Sequence, residues 1–293
     1  MRISGYCKIL LGVLLFLMAC KKQTWEITDV HKEIKGSDPT ASIYQIEAYI
    51  YNLYIALTGR KPDAQEFATA RQDLIAAQAD RVSRVAFVRT LLDTDEFYDN
   101  LYALMRKDIL DNIDTMQITR EYQEVLDFLA APQFRPLWPR FEEMKLQYEM
   151  LMRSPQDLKN ETIGISGLYR RGVHNEVYDE INMGSENFVV SCFTFFLGRY
   201  PTEEELEESK KMVDSRNAVL FLQTGSHKQD FLDIFFASQN YKEGLIRRLF
   251  SRYLFREPSS YERDIYIERL SDDREYKELL IALFSSDEYY RQQ

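Results

Sequence analysis

One pattern occurs three times in this chain, and it restricts the fold more than any other feature of the sequence. It reads Tyr54-x-x-Leu57-x-x-Arg60-x-Pro62-x-x-x-Glu66, then Phe193-x-x-Phe196-x-x-Arg199-x-Pro201-x-x-x-Glu205, then Phe250-x-x-Tyr253-x-x-Arg256-x-Pro258-x-x-x-Glu262. Leu74, Val213 and Leu270 follow at one common offset. Each copy then closes on an aromatic-rich block, running from Phe87, Phe231 and Leu279 to Glu96-Phe97-Tyr98, Asn240-Tyr241 and Glu288-Tyr289-Tyr290. Self-similarity of this kind predicts one supersecondary unit used repeatedly. Apolar residues three apart before the arginine make one helical stripe facing a core. Gly59 and Gly198 suit the end of that helix, whereas the third copy has Phe255 there. Pro62, Pro201 and Pro258 suit the first turn of the next helix, where a missing N–H costs nothing. Thr202 and Ser259 do not stand where ideal caps are expected, so no capping box is predicted. The glutamate lies one turn beyond the proline. Arg60–Glu66, Arg199–Glu205 and Arg256–Glu262 are therefore expected to clamp two helices at a corner, a structural role rather than a ligand site.

The remaining periodicity is helical almost throughout. With 8 prolines and 11 glycines in 293 residues and no clear strand-type alternation, the fold class is all-α. The first repeat occupies 41–100 and the second and third occupy 188–293. Between them, residues 101–187 are expected to hold helices near 101–111, 119–130 and 139–152, with Trp138 plugging a proline-rich corner. Gly164, Gly167, Gly172 and Gly184 mark 160–186 as the least regular stretch and the expected rim of any pocket. The second and third repeats adjoin in sequence and are expected to pair, with the first set apart from them by the middle helices.

The unit resembles the helical repeat of phycobilisome linker polypeptides and related bacterial surface-protein domains, which show an aromatic helix, Gly-Arg-x-Pro-x-x-x-Glu and a helix ending in Glu-Phe-Tyr. Gly59-Arg60-Lys61-Pro62 with Glu66 and Glu96-Phe97-Tyr98 carries the likeness best, followed by Gly198-Arg199-Tyr200-Pro201 with Glu205. The resemblance implies an all-helical assembly module. No pigment contact is matched, so no pigment is implied.

The first residues point to export. Arg2 and Lys8 accompany an almost unbroken apolar run, Ile9 to Ala19, the layout of a secretory signal too short to span a membrane as a helix. Leu17-Met18-Ala19-Cys20 resembles the bacterial lipobox, which implies cleavage before Cys20 and a thioether from its sulfur to diacylglycerol. Residues 1–19 are then a signal peptide and 20–40 a lipidated tether. Several acyl chains anchor firmly where one is marginal, at about 0.8 kcal/mol per buried CH₂. The combination resembles a Gram-negative, Bacteroidota-like lipoprotein. No acidic run follows the cysteine, which favours the outer membrane's periplasmic side. Membrane lipid through acylated Cys20 and an envelope protein are the expected partners. A formal charge of -10, made more acidic by loss of Arg2 and Lys8, argues against nucleic acid. Of 3 cysteines, only Cys192 remains in the body, so no intrachain disulfide is expected despite an oxidising compartment.

Signals for chemistry are sparse. His31, His174 and His227 lack partners at metal-ligand spacing, and no phosphate-cradling or nucleophile-elbow motif occurs. No cofactor is expected. The densest polar cluster surrounds His174, which Glu180 or Asp179 could orient as a base while Arg170 or Arg171 held an anion. Such density is also ordinary on a wet surface. Most of the 19 tyrosines and 18 phenylalanines, Tyr51 among them, fall on core positions. Tyr44, Tyr148, Tyr169, Tyr178 and Tyr200 are freer to form a contact surface. The resulting expectation is a membrane-anchored, non-catalytic binding or scaffolding component of a cell-envelope complex. The alternatives are a glycan-binding lipoprotein and an enzyme acting on cell-wall or glycan substrates.

Overall fold

The computed structural model describes residues 42–270 and 275–293; the expected signal peptide (1–19) and lipidated tether (20–40), with Cys20 and His31, lie outside them. Of the described residues 76% are helical, so the body is all-α. The chain begins with α1 (Ile43–Thr58), α2 (Ala64–Ala76), α3 (Arg81–Leu92) and α4 (Asp95–Ile109). Next come α5 (Thr115–Ala130) and α6 (Trp138–Met152), packed on each other, then the short α7 (Ser154–Lys159), α8 (Ile165–Val173) and α9 (Glu176–Ile181). The glycine-bearing stretch is thus resolved into short helices. α10 (Ser185–Cys192) runs into a π-helical turn over Phe193–Leu197, followed by α11 (Glu203–Val213). A hairpin, β1 (Ala218–Leu220) and β2 (Gln223–Gly225), pairs antiparallel with Val219 opposite Thr224. The chain ends with α12 (Lys228–Ala237), α13 (Gln239–Leu254), α14 (Ser260–Arg269), α15 (Tyr276–Phe284) and α16 (Asp287–Arg291).

The three Arg-x-Pro segments make the same corner. The incoming helix ends in the left-handed region at Gly59 (φ 73°), Gly198 (φ 66°) and Phe255 (φ 54°). The prolines do not enter the first turn of the next helix. Pro62, Pro201 and Pro258 each stand one residue before the N-cap, and Asp63, Thr202 and Ser259 are the caps. Each cap accepts from the backbone N–H of Glu66, Glu205 or Glu262, and each glutamate accepts from the N–H of its cap. This reciprocal box satisfies two donors at once, which fixes the helix start after the proline rather than on it. The expectation that Thr202 and Ser259 are not caps and form no capping box is thus corrected: each stands three residues before its glutamate, the spacing the box requires.

A non-glycine residue in the left-handed region costs roughly 1–2 kcal/mol. Phe255 is 82% exposed and recovers little by packing. Phe255→Gly is therefore expected to stabilise the fold by about 1 kcal/mol in urea unfolding. A lowered midpoint would show instead that the ring supports the fold.

The core runs the length of the body. Tyr49 is fully buried on α1, donates from its hydroxyl to Phe284 O (3.1 Å) and meets the rings of Tyr289 (6.1 Å) and Tyr290 (5.3 Å). α3 packs along α15, so the N-terminal motif segment lies directly on the C-terminal one. The expectation that the middle helices set it apart is corrected here. α13 serves both the second and the third segment, following α12 and leading into the Arg256 corner. Several aromatic assignments also change. Tyr148, Tyr169 and Tyr178 are buried, Tyr44 and Tyr200 are exposed, and Tyr51 is half-exposed, stacked on Phe67 at 4.8 Å. Trp138 is only half-buried, with Arg135 over its ring. Cys192 is a buried core residue, and burial pushes its thiol up to about 12, away from reactivity.

Candidate functional site

The motif arginines and glutamates face each other at the corners. Arg60 donates from Nη1 and Nη2 to Glu66 (both 2.7 Å), Arg199 to Glu205 (2.7 and 2.6 Å) and Arg256 to Glu262 (3.0 and 2.7 Å). Glu96 adds a second carboxylate on Arg60, and Glu288 one on Arg256, from the first turns of α4 and α16. The hydrogen bonds from Arg60 outweigh burial and hold the Glu66 carboxyl down to about 2. At Glu262 burial pushes upward but Arg256 and the cap prevail, again holding it at about 2. Each arginine also lies over an aromatic ring: Tyr54 at 5.6 Å, Phe193 at 5.3 Å and Phe250 at 5.0 Å. The pairs are partly exposed, so they set corner geometry more than they add stability.

The segment 160–186 does border a polar cleft, of about 530 Å³. The N-terminal end of α12 supplies His227, Lys228 and Asp230 to it, α6 supplies Arg140 and Gln147, and the α8–α9 junction supplies His174, Glu176 and Asp179. A second groove of about 440 Å³ adjoins it, lined by α5, α6 and α9, and shares Met144 and Glu176. The cleft's opposite charges are paired across it. Lys228 bonds Asp179 and lies 4.3 Å from the centre of the Phe188 ring, while Arg140 meets Glu176 at 2.9 Å. Burial pushes the Asp179 carboxyl above its usual range, against the pull of Lys228.

The polar residues singled out in the sequence do not converge. His174 lines the cleft, 8% exposed, with Nε2 3.5 Å from Gln147 Nε2 and a buried Nδ1 that has no hydrogen-bond partner among the described residues. Glu180 is exposed and lines the second groove, and Asp179 is taken by Lys228, so neither orients the imidazole. Arg170 pairs with Asp233 at 2.7 Å. Arg171 turns into the body, where it binds Asp157 at 2.7 Å and the Met150 carbonyl at 2.9 Å, stapling α6, α7 and α8. Helix periodicity explains the separation, since neighbours in sequence leave a helix in different directions. Lys228 and Arg140, which the sequence reading passed over, come from distant elements and carried no local signal. Among the described residues no group of three or more His, Cys, Asp or Glu side chains is arranged to hold a metal.

Burial, reinforced by Arg170 and Lys228 and opposed by Asp233, lowers His174 to about 4. Its proton is therefore held less readily in the folded chain than in the unfolded one. Between pH 6.5 and 4 the unfolded state gains a proton that the folded state does not, so stability falls with pH, by about 3 kcal/mol across the window. His174→Gln is expected to remove that slope and leave the acid loss of the glutamates below pH 4.5. Urea midpoints of both proteins from pH 7 to 4.5 measure it, and parallel curves would rule out a buried neutral imidazole. At neutral pH the cleft thus presents two ion pairs, the further carboxylates of Glu143 and Asp230, amides and an uncharged imidazole, a net-acidic surface that can hydrogen-bond a polar ligand. No protein-family model matches the chain, and no curated protein or solved structure matches it either.

Proposed function

We propose that the body is built from three copies of one helical unit and serves as a non-catalytic binding or scaffolding component of a cell-envelope complex. Lipid on Cys20 would hold it on the outer membrane, facing the periplasm. The observation that carries this reading is how the conspicuous polar side chains are engaged. The motif arginines and glutamates close corners, Arg171 staples three helices, and His174 is buried, held below its usual range, with no carboxylate bonded to it among the described residues. The repeat itself is supported by the common corner, in which the same box, arginine clamp and aromatic ring recur at Arg60, Arg199 and Arg256. Among the described residues no helix is long and apolar enough to cross a membrane, so attachment in this reading falls to the lipid.

Two measurements test it. Cys20→Ala is expected to abolish incorporation of labelled palmitate; equal labelling of variant and parent would refute the anchor. Affinity purification of the detergent-extracted protein is expected to recover another envelope protein in stoichiometric amount. Recovery of this chain alone, together with turnover of a cell-wall polymer that is lost in His174→Ala, would replace the scaffold with an enzyme.

A further inference from the structure

We propose that Arg199 is a docking point for an acidic side chain of a partner polypeptide, received on the guanidinium edge that Glu96 and Glu288 close in the other two copies. The inference rests on the repeat and scaffold readings above and names the contact they leave open. Arg60 and Arg256 are each gripped on two edges. Glu66 or Glu262 takes Nη1 and Nη2, and a second carboxylate takes Nε and Nη2, at 2.8 and 2.9 Å from Glu96 or 2.5 and 2.7 Å from Glu288. That second glutamate always stands at one place, just inside the helix that Thr94 or Ser286 caps. In the middle copy Ser238 caps α13 in the same way, but the residue at that place is Asn240. Asn240 is shorter and uncharged and makes no hydrogen bond to Arg199.

The rest of the fork is intact. Glu205 holds Nη1 and Nη2, Nη1 also reaches Tyr200 O at 3.1 Å, and the Phe193 ring lies beneath. Nε has no acceptor among the described residues, and the side chain is 39% exposed. The two sister copies demonstrate that this fork accepts two carboxylates together. With one of them missing it is a pre-oriented, bidentate donor to a single carboxylate, the geometry in which arginine binds that group best.

A polypeptide fits the surroundings better than a free anion. Among the described residues the hairpin β1–β2 occurs in the middle copy alone, and its Phe221 packs on the same Phe193 ring at 6.1 Å. Beside Phe221, Leu222 is 98% exposed with φ 65°, a strained conformation for a residue that buries nothing. Tyr200, next to the fork, is 75% exposed. An arginine next to an exposed tyrosine has the composition of an interface anchor rather than of an ion site.

The test uses the full chain labelled with ¹⁵N at arginine, so that each Nε–H can be followed by NMR. The Arg199 signal is identified by its loss in Arg199→Lys. The probe is an acetylated, amidated peptide of the chain's own Ser286-Asp287-Glu288-Tyr289-Tyr290, compared with sodium acetate. The peptide is expected to shift the Arg199 signal saturably, at least fivefold more tightly than acetate, with Arg60 and Arg256 unmoved. Asn240→Glu is expected to close the fork from within and weaken the peptide at least fivefold. A silent Arg199, equal affinity for peptide and acetate, or unchanged binding by Asn240→Glu would each overturn the proposal. If a partner co-purifies equally with the parent and with Asn240→Glu, the scaffold reading stands and this contact falls. If nothing co-purifies while the peptide still shifts Arg199, the scaffold reading falls and the carboxylate fork stands.

Discussion

Gly244→Ala is expected to destabilise the fold by about 3 kcal/mol or more, although the residue lies in the middle of a helix where alanine is ordinarily the better choice. α13 crosses directly over the π-helical turn at this glycine. A Cβ there would overlap the Phe196 carbonyl oxygen and come within 2.9 Å of its carbon and 3.1 Å of Leu197 Cα. These are backbone atoms, so no side chain can swing aside, and the helix itself must move off the turn. Phe196 is fully buried against Phe235 and Phe236, so that movement would open the aromatic core of the middle segment. The corresponding places elsewhere carry side chains that use the gap. Asn100 on α4 donates to Ala56 O, and Gln292, just past α16, donates to Leu254 O. Urea unfolding decides the matter by sign. Relief of glycine's helix penalty alone would raise stability by about 1 kcal/mol, and any rise would show that the close crossing is not a constraint.

Arg84→Met is expected to cost about 3 kcal/mol, the order found when one partner of a buried ion pair is removed. The side chain is only 5% exposed. It donates from Nε to Ser285 O and from Nη1 to Ala79 O, both at 3.0 Å, bonds Asp287 through Nη2, and lies 4.9 Å from the centre of the Tyr290 ring. Methionine fills similar volume and leaves two carbonyls and a carboxylate without their donor. Because Arg84 is on α3 and reaches Ser285 and Asp287 at the junction of α15 and α16, the loss should fall on the seam between the first and last segments. Hydrogen exchange is expected to rise in α1, α3 and α15 before it rises in α5 and α6. Asp287 is 42% exposed, so Asp287→Asn should cost no more than about 1 kcal/mol. A methionine variant as stable as the parent would mean that apolar packing alone holds the seam.

Much of the architecture could be read along the chain. The helical class, the middle helices with starts one to six residues from those expected, and the three arginine–glutamate pairs all depend on residues within about two turns of one another. At that range spacing determines geometry, because 3.6 residues per turn leaves few ways to place Arg60 and Glu66 around one corner. The capping boxes were equally local and equally legible, since Asp63, Thr202 and Ser259 stand three residues before their glutamates; the prolines drew the helix starts one step too early. The glycines of 160–186 marked the rim of a cleft for a similar reason, interrupting regular helices where short elements meet.

What the tertiary structure alone decided lies at long range. An amphipathic stripe states that a helix buries one face, and leaves open which partner it buries it against. The seam of α3 on α15, the buried bond from Tyr49 to Phe284 O and the reach of Arg84 to Asp287 join residues more than 180 positions apart. The cleft is of the same kind. His174 was visible in the sequence, but Lys228, Arg140 and Gln147 arrive from other helices, while Arg171, its near neighbour in sequence, points into the body. Local spacing determined the corners, because there the covalent chain holds the partners together. The seams and the cleft were chosen by packing, because only a closed core selects among many equally apolar helix faces.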